Sequence, residues 1–253
     1  MGVFQRHSKE TLFKPNMYLR LCVLLLAVSP LISADLLDSE HLRQFVLQFH
    51  NDLRAKEGAS DMIKLAWSKQ LATEANKWAH KCMFDHQRKG RGENLAFDSN
   101  AGTIKDLIRS EMQSWFDEKR DFYRSASSCG SSCHYTQMVW ANTTHVGCSA
   151  INCPSLQAFG RSVSNAKYLV CFYYPRGNIG NNIYTPGRSC SKCPANFGRC
   201  SKGLCNGGHS GDVAAMDPCP DLNKNCKMWA DMGECNNNPN YMRTNCRKSC
   251  RSC

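Results

Sequence analysis

Apolar side chains return every three to four positions from residue 39 to residue 58, and Leu42, Phe45, Val46, Phe49 and Leu53 fall on one helical face. Asp38 or Ser39 can cap that helix at its start, and Gly58 can end it. The same spacing predicts a helix over 67–82, with Leu71, Ala75, Trp78, Ala79 and Cys82 on one face. A third is predicted over 103–118, opened by Thr103 and burying Ile104, Leu107, Ile108, Trp115 and Phe116. Then the period shortens. Residues 145–152 and 167–174 (KYLVCFYY) are rich in β-branched and aromatic side chains and read as strands. Helices first and strands later predict an α+β domain over 35–186, with the helices packed on a mostly antiparallel sheet.

Beyond residue 186 the apolar period is lost and cysteines replace it. A hinge and linker over 187–216 holds Cys190, Cys193, Cys200 and Cys205 among Gly and Ser. A last module, 217–253, holds Cys219, Cys226, Cys235, Cys246, Cys250 and Cys253. Neither piece can bury enough apolar area to fold without cross-links. Six cysteines allow 15 connectivities, and spacing alone selects none.

The chain has 17 cysteines in 253 residues, which points to an oxidising compartment. Residues 17–34 agree: Arg20 precedes an apolar run too short to span a bilayer, and Ile32-Ser33-Ala34 fits a signal-peptidase site. The expectation is a leader over 1–34, with Met17 the better initiator, and a secreted product. Cleavage removes Cys22 and leaves 16 cysteines. It also leaves 28 basic and 20 acidic residues, a net charge of +8. Such a surface suits anionic lipid, glycans or the acidic vestibule of a channel. No nucleic-acid module is recognisable.

The motifs along the first region are Phe49-His50-Asn51 with Arg54, Gly92-Glu93-Asn94-Leu95, His134-Tyr135-Thr136-Gln137-Met138-Val139-Trp140, Gly147-Cys148 and 170–178 (VCFYYPRGN). With these the chain resembles the CAP superfamily of cysteine-rich secretory, antigen 5 and pathogenesis-related type 1 proteins. Its hinge (CSKCP, 190–194) is similar to theirs. Residues 217–253 resemble a ShKT domain through Trp229-Ala230, Gly233-Glu234-Cys235, Pro239 and Tyr241-Met242. The resemblance implies an α-β-α sandwich, then a disulfide-rich hinge and a small helical ShKT module. It implies the pairs Cys82–Cys153, Cys129–Cys133, Cys148–Cys171, Cys190–Cys200, Cys193–Cys205, Cys219–Cys253, Cys226–Cys246 and Cys235–Cys250. With all of them paired, no thiol would be free for nucleophilic catalysis.

The same resemblance brings His86, Glu93, Glu118 and His134 together in one cleft. Two imidazoles and two carboxylates suit a divalent metal, Zn²⁺ in particular. Metal held this way would be lost on acidification, because ligating imidazole must be neutral. The alternative is a hydrogen-bonded polar cluster without metal. Neither HExxH nor GxSxG occurs, so metal-dependent proteolysis ranks below binding. The leading expectation is a non-enzymatic binding protein whose partner is an extracellular lipid, a sterol or a membrane protein.

An ion-channel modulator acting through the hinge and ShKT module is the runner-up. ShKT toxins use a lysine–tyrosine pair; the matching pair here is Asn240-Tyr241, so only the aromatic contact, Tyr241, is present. Asn142-Thr143-Thr144 is a glycosylation sequon. His50 reads as a structural hydrogen-bonding residue, and His145 and His209 as solvent-exposed. Trp67, Trp78, Trp115 and Trp140 read as core.

Overall fold

The computed structural model describes residues 35, 37–122, 128–180, 182–207, 221 and 223–252. The leader expected over 1–34, His209 and the Cys219–Cys253 pair lie outside the described residues. No helix among the described residues is long and apolar enough to cross a membrane.

Helix α1 spans Glu40–Ala55, and of its two candidate caps Ser39 does the work: its side chain accepts from the Leu42 amide. Strand β1 (Ala66–Trp67) precedes α2 (Lys69–Ala79), which Ser68 caps. The sequence reading began α2 two residues too early. Trp67 instead pairs in parallel with Val146, and a strand this short shows no period to detect. Strand β2 (Gly92–Asp98) precedes α3 (Ile104–Asp117), where Thr103 and Asp106 form a capping box. A short helix α4 (Cys133–Met138) leads into β3 (His145–Ala158) and β4 (Arg161–Tyr174). Periodicity does not show β2 or α4, and it covers only the first part of β3 and the last part of β4.

The sheet order is β1-β3-β4-β2, antiparallel except at β1–β3. Alternation along β3 and β4 explains the layers. Val146, Cys148, Ala150, Leu169, Cys171 and Tyr173 join the core under α1, α3 and α4. Ile151, Cys153, Tyr168, Val170 and Phe172 join a second core under α2. Both faces of the sheet are therefore apolar, and helices must cover both, which gives an α-β-α sandwich. Gly147 lies beneath α2, where a Cβ would overlap the backbone of Ser68 and Ala72.

Seven disulfides join described cysteines: Cys82–Cys153, Cys129–Cys133, Cys148–Cys171, Cys190–Cys200, Cys193–Cys205, Cys226–Cys246 and Cys235–Cys250. Cys148 and Cys171 are direct partners across β3 and β4. In the hinge, β5 (Arg199–Ser201) and β6 (Leu204–Asn206) form a two-stranded ribbon. Three short helices follow: α5 (Cys226–Asp231), α6 (Glu234–Asn237) and α7 (Pro239–Asn245). Their small core is Cys226, Met242 and Cys246, so disulfides form much of it.

Candidate functional site

His134 stands in the first turn of α4, two residues beyond a short 3-10 turn over Gly130–Ser132. Its ring lies parallel to Trp115 of α3, 5.8 Å between centroids. Glu118, just past α3, reaches the His134 Nδ1 at 2.6 Å. The other Glu118 oxygen accepts from the backbone amides of His134 and Tyr135 at 3.0 and 3.2 Å. Glu118 thus fixes both the ring and the start of the helix that carries it.

His86 sits on the loop before β2. Its Nδ1 meets Glu93 of β2 at 3.2 Å. Glu93 also accepts from the Gln87 and Arg88 amides, each at 2.7 Å. The Glu93 side chain is 5% exposed and that of His86 is 47% exposed. The four expected residues therefore form two matched His–Glu pairs. They do not form one tight cluster: among the described residues only Cys190, Cys193 and Cys205 place three ligand atoms within 4.8 Å of one another. Those sulfurs are already in disulfides.

Two buried groups support the His134 side: Glu57, which the sequence does not single out, and Asn94 of the 92–95 motif. Glu57 accepts from the Tyr135 and Tyr184 hydroxyls at 2.8 and 2.9 Å and pairs with Lys119 at 3.0 Å. It thereby ties down the chain neighbours of both His134 and Glu118. Burial, reinforced by Glu57, raises the Tyr135 pKa far above its ordinary value, so Tyr135 remains a donor. Asn94 donates to the His134 carbonyl at 3.1 Å and to the Tyr173 hydroxyl at 3.3 Å. The motif Gly92-Glu93-Asn94-Leu95 thus serves both pairs: Glu93 holds His86, and Asn94 holds the His134 backbone.

Tyr173 continues inward to His50 Nε2 at 2.8 Å, while His50 Nδ1 lies 2.9 Å from the Val46 carbonyl. A carbonyl only accepts, so Nδ1 carries the proton and Nε2 accepts from Tyr173. His50 is fully buried and structural, and burial pulls its pKa from 6.5 down to about 4. The unfolded chain therefore binds a proton that the fold excludes. Stability should be full above pH 6.5 and fall as pH drops towards 4, by roughly 3 kcal/mol in all. Denaturant midpoints from pH 7 to pH 4 check this, and His50→Gln should flatten the slope. An unaltered slope in that variant would assign the loss to other groups.

His145 departs from its expected exposure. It opens β3, is 8% exposed, and its Nδ1 meets the Thr144 hydroxyl at 2.7 Å. Its pairing with Tyr174 fits the strand read over 145–152, and only the exposure is corrected. Asn142, the candidate glycosylation site, is exposed on a turn. Trp78, Trp115 and Trp140 are buried, and Trp67 is partly so.

Tyr241, the candidate channel contact, is 40% exposed and meets Trp229 edge-on at 5.9 Å. Arg176 of the first region lies close by. Burial pulls the Arg176 guanidinium down, and Tyr241 and Glu93 oppose this electrostatically. Tyr241 therefore stands beside the first region, and the residue before it in the chain is Asn240, not lysine. On the outer face of α3, a pocket of about 430 Å³ is lined by Asp106, Arg109, Gln113, Asp117 and Arg120 among others. All of its lining side chains are polar or charged.

The profile of the "Cysteine-rich secretory protein family" matches residues 47–173, and that of the "ShK domain-like" group matches 218–253. Mouse "Peptidase inhibitor R3HDML" is 35% identical over 183 residues, covering 64% of this chain and 71% of the relative. Human "Peptidase inhibitor 16" is 37% identical over 195 residues, covering 74% of this chain but only 40% of the relative. Among solved structures, NaASP2 with Zn²⁺ aligns with TM-score 0.55 and 32% identity, covering 66% of this chain and 96% of that one. The sandwich, the motifs and the family match converge: the chain belongs to the cysteine-rich secretory protein (CAP) family and carries a ShK-like module after its CAP domain.

Proposed function

We propose that this chain acts outside the cell as a binding protein, and that His86 and His134 hold a divalent metal, with Zn²⁺ the best match. The carrying observation is the repeated arrangement of the two imidazoles, each with Nδ1 on a glutamate oxygen. A carboxylate on Nδ1 fixes ring and tautomer and leaves Nε2 with its lone pair outward. Two imidazole donors with carboxylates behind them fit Zn²⁺ better than Ca²⁺ or Mg²⁺, which favour all-oxygen sites. Bound there, the metal would supply a Lewis acid and open coordination positions for a partner's oxygen or nitrogen. That NaASP2 was solved with Zn²⁺ supports the same choice.

Binding rather than turnover is favoured because every described cysteine is paired, which removes the thiol nucleophile. The same density of disulfides supports secretion. The name "peptidase inhibitor" borne by relatives favours a protein as the partner over a lipid or sterol.

Calorimetric zinc titration of the refolded chain at neutral pH tests the metal, beside a His86→Ala/His134→Ala double variant. One saturable site, absent from the variant, is the expected result. A wild type that takes up no zinc, or a variant that binds as well, would end the metal reading.

A further inference from the structure

We infer that Arg247 of the ShK-like module is a positioning residue for the loop that carries His86, so that docking of the module and metal binding at His86 are linked. The second half of this rests on the metal reading above; the first half does not.

Arg247 lies on a module whose own core is three residues, yet it is only 6% exposed. Its side chain contacts the CAP domain. Its Nη1 donates to the Lys89 carbonyl, three residues from His86. Its side chain lies over Gly90, where a Cβ would come within 3.2 Å of both Cδ and Nη1. Gly90 has φ +75°, which favours glycine, and a Cβ there would press on the arginine lying over it. A second tether runs from Arg176 Nη2 to Asn245 Oδ1, 3.1 Å.

The loop needs such support. Arg88 has φ +59°, an uncommon conformation for a residue with a Cβ. Its outer side is exposed at His86, Arg88 and Lys89. From the sheet side Glu93 holds the Gln87 and Arg88 amides. From the module side Arg247 holds the Lys89 carbonyl. The loop is held from two sides at 87–89, and one holder belongs to the other module. Around Arg247, Arg91 repels and Glu74 attracts. Glu74 is already engaged by Arg91 at 3.0 and 3.1 Å. Charge therefore contributes little net attraction, and the geometry of a planar donor over bare backbone carries the contact. Linkage is reciprocal: a docked module that orders the loop raises metal affinity at His86, and bound metal favours the docked module.

The test uses the full chain with Arg247→Ala and Arg247→Lys. Without metal, hydrogen exchange at the Gln87 and Arg88 amides should speed up about tenfold in Arg247→Ala, because local opening becomes easier. Zinc affinity should fall about tenfold, the low end for groups that act behind a ligand. Arg247→Lys, which keeps a donor and a charge, should recover part of both. Unchanged exchange in Arg247→Ala overturns the positioning role. Faster exchange with unchanged zinc affinity overturns the linkage. A wild type that binds no zinc sinks the metal reading and the linkage together, while the exchange data still decide whether Arg247 positions the loop.

Discussion

Arg54→Ala should be among the most damaging single substitutions in the CAP domain, costing about 4 kcal/mol or more. Arg54 is 1% exposed in the last turn of α1 and meets no carboxylate among its hydrogen bonds. Its guanidinium instead donates to five backbone carbonyls: Ile63, Met138, Trp140, Ala141 and Thr143. These belong to the turn after α1 and to the stretch from the end of α4 to the start of β3. One side chain thus supplements the backbone pairing of an irregular buried segment, where Trp140 and Ala141 also accept from the Thr143 and Ile63 amides. Burial pulls the Arg54 pKa down to about 9, so the group is still charged at neutral pH. Truncation leaves several buried acceptors unpaired, at about 1–3 kcal/mol each before relaxation. The melting temperature should fall by roughly 10 °C for a domain of this size. Arg54→Lys should recover only part, because an ammonium cannot span five carbonyls on two sides. A near-normal melting curve for Arg54→Ala would mean that water or a shifted backbone satisfies these carbonyls.

Removing Cys82–Cys153 by a double alanine substitution is expected to cost about 4 kcal/mol in the chain-entropy picture, because the bond joins residues 71 apart. Cys153 is fully buried under α2, and its loss also leaves a small void there. The same substitution at Cys129–Cys133, separated by only four residues, should cost about half as much. Denaturant midpoints of the two double variants, measured side by side, give the ordering. If the short bridge proved the costlier, local ordering of the turn before His134 would outweigh loop entropy.

The first and third helices were legible because their signals are local. Ser39 and Thr103 cap them as their positions suggest, and Leu53, Leu107 and Trp115 face inward as their spacing requires. Strand β2 was not legible, since its buried residues, Gly92, Asn94, Leu95 and Ala96, are small, polar or adjacent and show no clean alternation. His145 opens a strand that was legible, but it looked exposed because nothing beside it in the chain announces its burial in the sheet.

The members of the candidate site entered by resemblance. Their spacing, from residue 86 to residue 134, says nothing on its own about contact. The pairing of His86 with Glu93 and of His134 with Glu118, and the buried Glu57 behind the second pair, came only from the fold.

By itself, the sequence determined the helical faces, the caps, the cysteine-stapled character of the last two regions and the family. Each of these is written in residues that act on near neighbours or as a recurring motif. Tertiary structure alone decided what Arg54 is for, that His50 must be neutral, and that Arg247 reaches the His86 loop. Those roles depend on groups some 80 to 160 residues apart, where burial and hydrogen bonding arise only once the chain has closed on itself.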